Sequence, residues 1–137
     1  MELYRYGSRP PLQGHDQWFT GQITMDPVVN AEAPGRPGIV TLTFQPGART
    51  NWHTHPLGQV LIITAGIGRA QTAGGPVEVL RPGDVVWFAP GERHWHGAAP
   101  DECMTHIAVQ AAQDGRTVDW DASVDDRDYL GEQADPS

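Results

Sequence analysis

The chain has 137 residues, of which 39% are hydrophobic and 19% charged, which suits one compact domain and is short for two. Its formal net charge of -8 repels nucleic-acid backbones and anionic membrane surfaces, so neither is expected as a partner. The single cysteine, Cys103, cannot form an internal disulfide, and neither a secretion signal nor a membrane-spanning run is evident, so we expect a cytoplasmic protein.

Short runs rich in Val, Ile, Thr, Phe and Trp alternate with Gly and Pro turns, a pattern that predicts an all-β sandwich or small barrel. In chain order, the predicted strands are Trp18 to Met25, Ile39 to Phe44, Trp52 to His55, Gln59 to Ala65, Gly68 to Gln71, Val77 to Leu80, Asp84 to Phe88, His94 to Gly97 and Met104 to Gln110. Between the first two strands, Pro27 to Gly38 is predicted to be a long loop.

A single short helix is predicted near the C-terminus. Ser123, followed three positions later by Asp126, resembles a capping box, and Gly131 supplies a stop. We therefore expect one domain over residues 1–131 and a frayed acidic tail over residues 132–137.

Five of the six histidines fall on three of the predicted strands. Because successive side chains of a strand point to opposite faces, His53 and His55 share a face. Gln59 joins that face if the chain stays in register through the intervening turn. His94 and His96 share a face by the same rule, so several imidazoles are expected to converge.

The segment around the first two histidines resembles the first conserved motif of the cupin superfamily. Its spacing matches that motif at every position, through Gly47, His53, His55, Gln59 and Gly66. Gln59 stands where cupins usually carry a glutamate ligand.

A second segment, GDVVWFAPGERH, resembles the second cupin motif. Gly83, Gly91 and His94 take the expected places, while the usual proline is displaced by one residue to Pro90. Ala98 sits where many cupins have asparagine. The resemblance implies a small cupin, a jelly-roll β-barrel.

More of the chain is similar to the small manganese-dependent cupins of the bacterial hydroxynitrile lyase type. The matching segments are Gln17 to Gly21, Pro46 to Gln59, Pro82 to Pro100, Met104 to Gln110 and Val118 to Trp120. This resemblance implies a metal held by His53, His55, Gln59 and His94. It favours Mn(2+), with Fe(2+), Ni(2+), Co(2+) and Zn(2+) left open because the donor types suit all of them.

All four implied ligands are neutral, so the full divalent charge would act on whatever occupies the open positions. The resemblance implies a lyase that converts a cyanohydrin to an aldehyde and HCN. Two other functions are compatible with the sequence. One is an Fe(II) or Ni(II) dioxygenase acting on a small diketone or catechol-like compound, and the other is a non-catalytic module that binds a small molecule.

His96 and His106 are the candidate catalytic residues, because a neutral imidazole can accept a proton near neutral pH. Either could instead orient a metal ligand by hydrogen bonding.

Strand alternation also predicts the walls of an apolar substrate pocket. Ordinary packing in the barrel core is the alternative for each of the predicted wall residues, which are Val40, Leu42, Leu61, Ile63 and Gln110. Trp52 and Trp95 are out of phase with the histidines and are expected to point outside the barrel, against a partner subunit of a homodimer or homotetramer.

Overall fold

A computed structural model describes residues 1–29 and 35–132, in which thirteen strands are followed by one short helix. The strands are Leu12–Gln13 (β1), Phe19–Thr20 (β2), Ile23–Val29 (β3), Gly38–Phe44 (β4), Arg49–Thr50 (β5), His53–Thr54 (β6), Gln59–Gly66 (β7), Gly68–Thr72 (β8), Val77–Leu80 (β9), Val85–Phe88 (β10), His94–Ala98 (β11), Met104–Gln110 (β12) and Asp119–Trp120 (β13). The helix, α1, spans Asp126–Leu130. The predicted all-β class with a short C-terminal helix is confirmed.

The strands form two antiparallel sheets that enclose the core. One sheet has the order β1-β3-β4-β12-β7-β10. The other runs β13-β6-β11-β5-β2, and it continues through β8, which pairs with both β11 and β9. Strand β6 carries His53, with His55 just beyond its end, and β11 carries His94 and His96. These two strands lie side by side in the second sheet, opposite β7 and β12.

Alternation along β7 shows how the sequence defines the interior. Gln59, Leu61 and Ile63 are buried, whereas the residues between them face outward and are half-buried or exposed. Leu61 and Ile63 join Phe44 and Met104, both fully buried, in one continuous core cluster. Burial of large apolar side chains contributes roughly 1.5 to 3 kcal/mol each to stability.

The first predicted strand, Trp18 to Met25, is interrupted in the structure. Gly21 separates β2 in one sheet from β3 in the other, with φ of 83° and the backbone of Ala48 close enough to collide with any Cβ. Only glycine combines that conformation with that close approach.

The predicted loop over Pro27 to Gly38 begins too early, because β3 continues through Pro27 to Val29 and pairs with β4. A register irregularity between Pro27 and Val29 accommodates the proline, which cannot donate to the ladder. Residues 30–34 of that loop lie outside the described part of the chain.

Asp125, and not Ser123, caps α1: its side chain accepts a hydrogen bond from the backbone N–H of Asp128 at 2.8 Å. Gly131 ends the helix in the left-handed conformation, as expected. Of the acidic tail predicted over residues 132–137, all but Glu132 lies outside the described residues. No described helix has the length and apolar character needed to cross a lipid bilayer.

The C-terminal segment covers the two tryptophans that were expected to meet a partner subunit. Trp52 and Trp95 are only 7% and 0% exposed because Val124 and Tyr129 pack against them. The Tyr129 hydroxyl donates to the carbonyl of Ala98 at 2.6 Å. The expectation of a subunit contact at these tryptophans is therefore wrong, and the chain itself buries them.

Candidate metal centre

Three histidines meet inside the barrel through the pairing of β6 with β11. His53 is the direct cross-strand partner of His94, and their ring centroids lie 4.2 Å apart. His55, just beyond β6, has its ring 5.0 Å from that of His53 and 5.5 Å from that of His94. All three side chains are buried.

Each of these rings is held by a backbone carbonyl that accepts a hydrogen bond from Nδ1–H. The accepting carbonyls are those of Asn51 for His53 at 2.8 Å, Thr117 for His55 at 2.7 Å and Glu92 for His94 at 2.8 Å. Because a carbonyl can only accept, Nδ1 carries the proton and Nε2 keeps its lone pair. In His55 that Nε2 is buried without a hydrogen-bond partner.

Gln59 brings an oxygen to the same place. Its Nε2 donates to Oε1 of Gln110 at 3.2 Å, so its Oε1 faces Nε2 of His94, also at 3.2 Å. With the His94 proton on Nδ1, both facing atoms are acceptors, and their proximity is unfavourable unless a cation lies between them. In a six-coordinate ion with bonds of about 2.1 Å, neighbouring ligand atoms are roughly 3 Å apart. The donor set therefore fits a divalent transition-metal ion.

His96 lies beside this group, and its role was open in the sequence. Among the described residues, one ring nitrogen each from His53, His94 and His96 fall within 4.8 Å of one another. A three-histidine set that includes His96 is thus an alternative to the implied set that includes His55 and Gln59.

His106 lies behind His96. Its Nε2 is 3.0 Å from Nδ1 of His96, and its ring is fully buried against Phe44, with centroids 5.3 Å apart. The other nitrogen of each imidazole, Nε2 of His96 and Nδ1 of His106, is buried without a partner. A buried nitrogen without a hydrogen-bond partner lowers the stability of the fold. Such nitrogens are typical of a site that binds a ligand.

Burial lowers the pKa of all five interior histidines because desolvation disfavours the imidazolium. It brings the pKa of His94 and of His106 to about 3. The pKa of His53 is lowered further by its neighbours His94 and His55, because two cations at this distance repel. At neutral pH the cluster therefore consists of neutral imidazoles, the form that binds metals.

We expect the metal-free protein to lose stability below neutral pH. In the folded protein the pKa of His106 is about 3, below the ordinary 6.5. Between these two pH values the unfolded chain binds more protons than the folded one, so the free energy of unfolding decreases as the pH is lowered. Each such histidine contributes a slope of about 1.4 kcal/mol per pH unit. Urea unfolding at pH 7 and pH 5 measures this slope. His106→Gln should reduce it, and equal free energies at both pH values would contradict the expectation.

A cavity of about 120 Å³ opens on this cluster. Val40, Leu42 and Gln110, predicted as pocket walls, line it. Leu61 and Ile63 do not, because they are fully buried in the core cluster. The remaining lining residues include His53, His55, Gln59 and His96, but neither His94 nor His106.

The sequence analysis missed five apolar walls of the cavity, which are Phe19, Met25, Ala108, Val118 and Trp120. Two of them come from the two-residue strands β2 and β13, of which only β2 fell within a predicted strand. Phe19 and Met25 lay within the predicted strand Trp18 to Met25, but were not assigned to the pocket. Val118 to Trp120 had been noted only for its resemblance to other proteins, and that resemblance was the available signal.

Two antiparallel sheets that enclose a histidine cluster are the arrangement expected of a cupin. In agreement, the model of the cupin domain family matches residues 40–109, and the chain belongs to the cupin family.

Among its relatives is the (R)-mandelonitrile lyase of Granulicella tundricola, which is 55% identical over 94% of this chain and 98% of its own length. A cupin-like protein from Thermotoga maritima has a similar structure, with a TM-score of 0.82, 38% identity, and coverage of 94% of this chain and 95% of its own. A predicted oxalate decarboxylase from Thermotoga maritima shares the fold, with a TM-score of 0.70 and 20% identity over 79% of this chain and 96% of its own.

Proposed function

We propose that this protein is a metal-dependent lyase of the hydroxynitrile lyase type, which cleaves or forms the bond between a carbinol carbon and a nitrile carbon. The observation that carries the proposal is a set of neutral nitrogen and oxygen donors, of which His53, His55 and Gln59 line a small, mostly apolar cavity. Its relative named (R)-mandelonitrile lyase, 55% identical over nearly the whole chain, supports the same reaction class.

His53, His55, Gln59 and His94 would hold the metal, with Mn(2+) favoured by resemblance. The three Nε2 atoms and the Gln59 oxygen are already oriented by hydrogen bonds on their far sides, which limits the ordering required on binding. A divalent ion bound there would supply Lewis acidity that stabilises negative charge developing on substrate oxygen or cyanide.

His96 is the proposed base, because it lines the cavity. When its Nδ1–H donates to Nε2 of His106, its own Nε2 carries a lone pair and can take the proton of the cyanohydrin hydroxyl. The oxygen electrons then form the carbonyl, the bond to the nitrile carbon breaks, and cyanide leaves with that electron pair. Returning the proton from His96 to cyanide gives HCN and the aldehyde. In this arrangement His106 positions His96.

The cavity indicates the kind of substrate. None of its lining residues is charged, so a carboxylate would be desolvated without compensation. Its volume of about 120 Å³ is comparable to the engineered apolar cavity of about 150 Å³ that holds benzene. A neutral cyanohydrin with a compact apolar substituent is the class that fits.

Mandelonitrile cleavage tests the proposal. Metal-replete protein should release benzaldehyde at a rate above the buffer control, and removal of the metal should abolish that release. The rate should be the same under nitrogen as in air, since no oxygen is consumed, whereas a cupin dioxygenase would need oxygen. Absence of benzaldehyde from metal-replete protein would refute the cyanohydrin reaction.

Gln59→Glu should keep or strengthen metal binding and lower lyase turnover, by about tenfold if one compensated charge costs roughly 1.4 kcal/mol in the transition state. The added carboxylate cancels one unit of the metal's positive charge. Metal content and turnover measured on the same sample separate the two effects. Gln110→Glu, which alters the cavity wall one side chain further away, is the matched control for added charge. Unchanged turnover in Gln59→Glu would mean that the neutral ligand is incidental.

A further inference from the structure

Thr50 has a buried hydroxyl group at the wall of the cavity. Its side chain belongs to β5, is 1% exposed and lines the cavity together with His53 and His96. Among the described residues, its Oγ1 has two hydrogen-bond contacts. They are the backbone nitrogen of His96 at 3.2 Å and Nδ1 of His53 at 3.4 Å.

Both of these contacts are donors. The backbone N–H of His96 donates to the Thr50 hydroxyl. Nδ1 of His53 carries the proton that it donates to the carbonyl of Asn51 at 2.8 Å, so it has no lone pair to offer to Thr50. The hydroxyl therefore accepts a hydrogen bond from the protein, but its own proton has no acceptor among these contacts. A buried donor in that condition lowers the stability of the fold, and nearly all buried polar groups in native proteins are paired.

The cavity is the direction that remains for this proton. A hydroxyl hydrogen rotates about its C–O bond to meet whatever acceptor is present. A ligand in the cavity that carries an acceptor atom would therefore receive a hydrogen bond from Thr50. Because most of the wall is apolar, a single bond of this kind has a large influence on how the ligand is oriented.

We propose that Thr50 is a catalytic residue that donates a hydrogen bond to the nitrile nitrogen of the substrate and to the cyanide formed from it. This inference rests on the proposed lyase function, in which Nε2 of His96 takes the proton of the carbinol hydroxyl. Thr50 lies beside Nδ1 of His53, the ring nitrogen that faces away from the other candidate ligands. Its hydroxyl therefore meets the end of the cyanohydrin remote from those ligands, and the nitrile nitrogen is the acceptor at that end.

Cyanide has an acceptor atom at each end, and the proposed hydrogen bond distinguishes the two ends. When the carbon–carbon bond breaks, its electron pair remains on the cyanide carbon and part of the negative charge is shared by the nitrogen. A hydrogen bond from Thr50 to the nitrogen stabilises this charge as it develops. The carbon is then left free to take back the proton from His96 as HCN forms. Thr50 keeps its own proton throughout.

Azide binding tests the proposal, because azide is a linear anion like cyanide and stays ionised at neutral pH. Calorimetric titration of the manganese-loaded parent protein measures its Kd. Thr50→Val preserves the shape of the side chain without the hydroxyl, and it should raise the Kd by about tenfold or more, the effect of one hydrogen bond to a charged acceptor. Thr50→Ser should bind azide as the parent does, and Thr50→Ala serves if the valine variant does not fold.

Thr41→Val is the matched control, because Thr41 lies between Val40 and Leu42 on β4 but does not line the cavity. Its azide affinity should equal that of the parent. Metal content should be the same in all variants. Thr50→Val should also cleave mandelonitrile more slowly, with an unchanged pH dependence of kcat and an unchanged affinity for benzaldehyde, which has no nitrile group.

An unchanged Kd for azide in folded, metal-loaded Thr50→Val would overturn the proposal and leave the lyase function intact, and a parent protein that does not bind azide would overturn it as well. Weaker binding of benzaldehyde with unchanged azide affinity would also overturn it, because the hydroxyl would then serve the carbinol oxygen. A shifted pH dependence of kcat would mean that Thr50 only positions His96. If the parent releases no benzaldehyde but its azide affinity depends on Thr50, the donor is supported and the lyase reaction alone is refuted.

Discussion

His55→Ala is expected to purify with less than about a tenth of the metal bound by the parent protein, in line with the 10- to 100-fold losses that follow damage to a metal site. Cyanohydrin cleavage should fall at least as far. The reason is that His55 presents a buried Nε2 with no partner, while its Nδ1 is held by the carbonyl of Thr117. Such an atom has no structural task besides binding a ligand.

Elemental analysis of the purified variant measures the loss, and circular dichroism verifies that the barrel persists. His15→Ala, at an exposed histidine far from β6 in the sequence, is the control for removing one imidazole. If His55→Ala keeps the full metal complement, the alternative set of His53, His94 and His96, whose nitrogens cluster within 4.8 Å, holds the metal.

His96→Ala, unlike His55→Ala, is expected to retain its metal. Its turnover should fall by a factor of about 10² to 10⁴, the range that a positioned general base supplies. His96 lies on the cavity wall, so its loss removes the nearest proton acceptor. Loss of the metal together with turnover would identify His96 as a ligand.

His106→Ala is the comparison for this second prediction. Because His106 reaches the cavity only through His96, its loss should lower turnover less than His96→Ala does, by about 10 to 100-fold, as for groups that orient a catalytic partner. A larger loss in His106→Ala than in His96→Ala would reverse the assigned roles of base and positioning residue.

Spacing along the strands predicted which donors converge, because alternation is a local property. His53 and His55 share the interior, and Gln59 joins them across the turn at Gly58, whose φ of 83° lets the chain reverse without losing the interior face. The pairing of β6 with β11 that places His94 opposite His53 is not local. It was predictable only through the resemblance to other cupins.

The pocket was predicted less well for the same reason. Alternation shows that Leu61 and Ile63 point inward, but it says nothing about depth along the barrel, and both lie in the core below the cavity. The walls formed by Phe19 and Trp120 depend on two-residue strands that exist only because β5 and β6 provide partners. Likewise, no local pattern indicates that Tyr129 will cover Trp95.

That covering of the tryptophans has a consequence for the order in which the protein is made. Trp95 separates His94 from His96, and Trp52 precedes His53, so the backbone of both strands that carry candidate ligands is anchored through side chains that Val124 and Tyr129 bury. These covering residues follow every candidate donor residue in the sequence and are therefore synthesised last. A nascent chain that already contains all the candidate ligands therefore lacks the layer that holds them in place, and we expect tight binding of a metal only after α1 has docked.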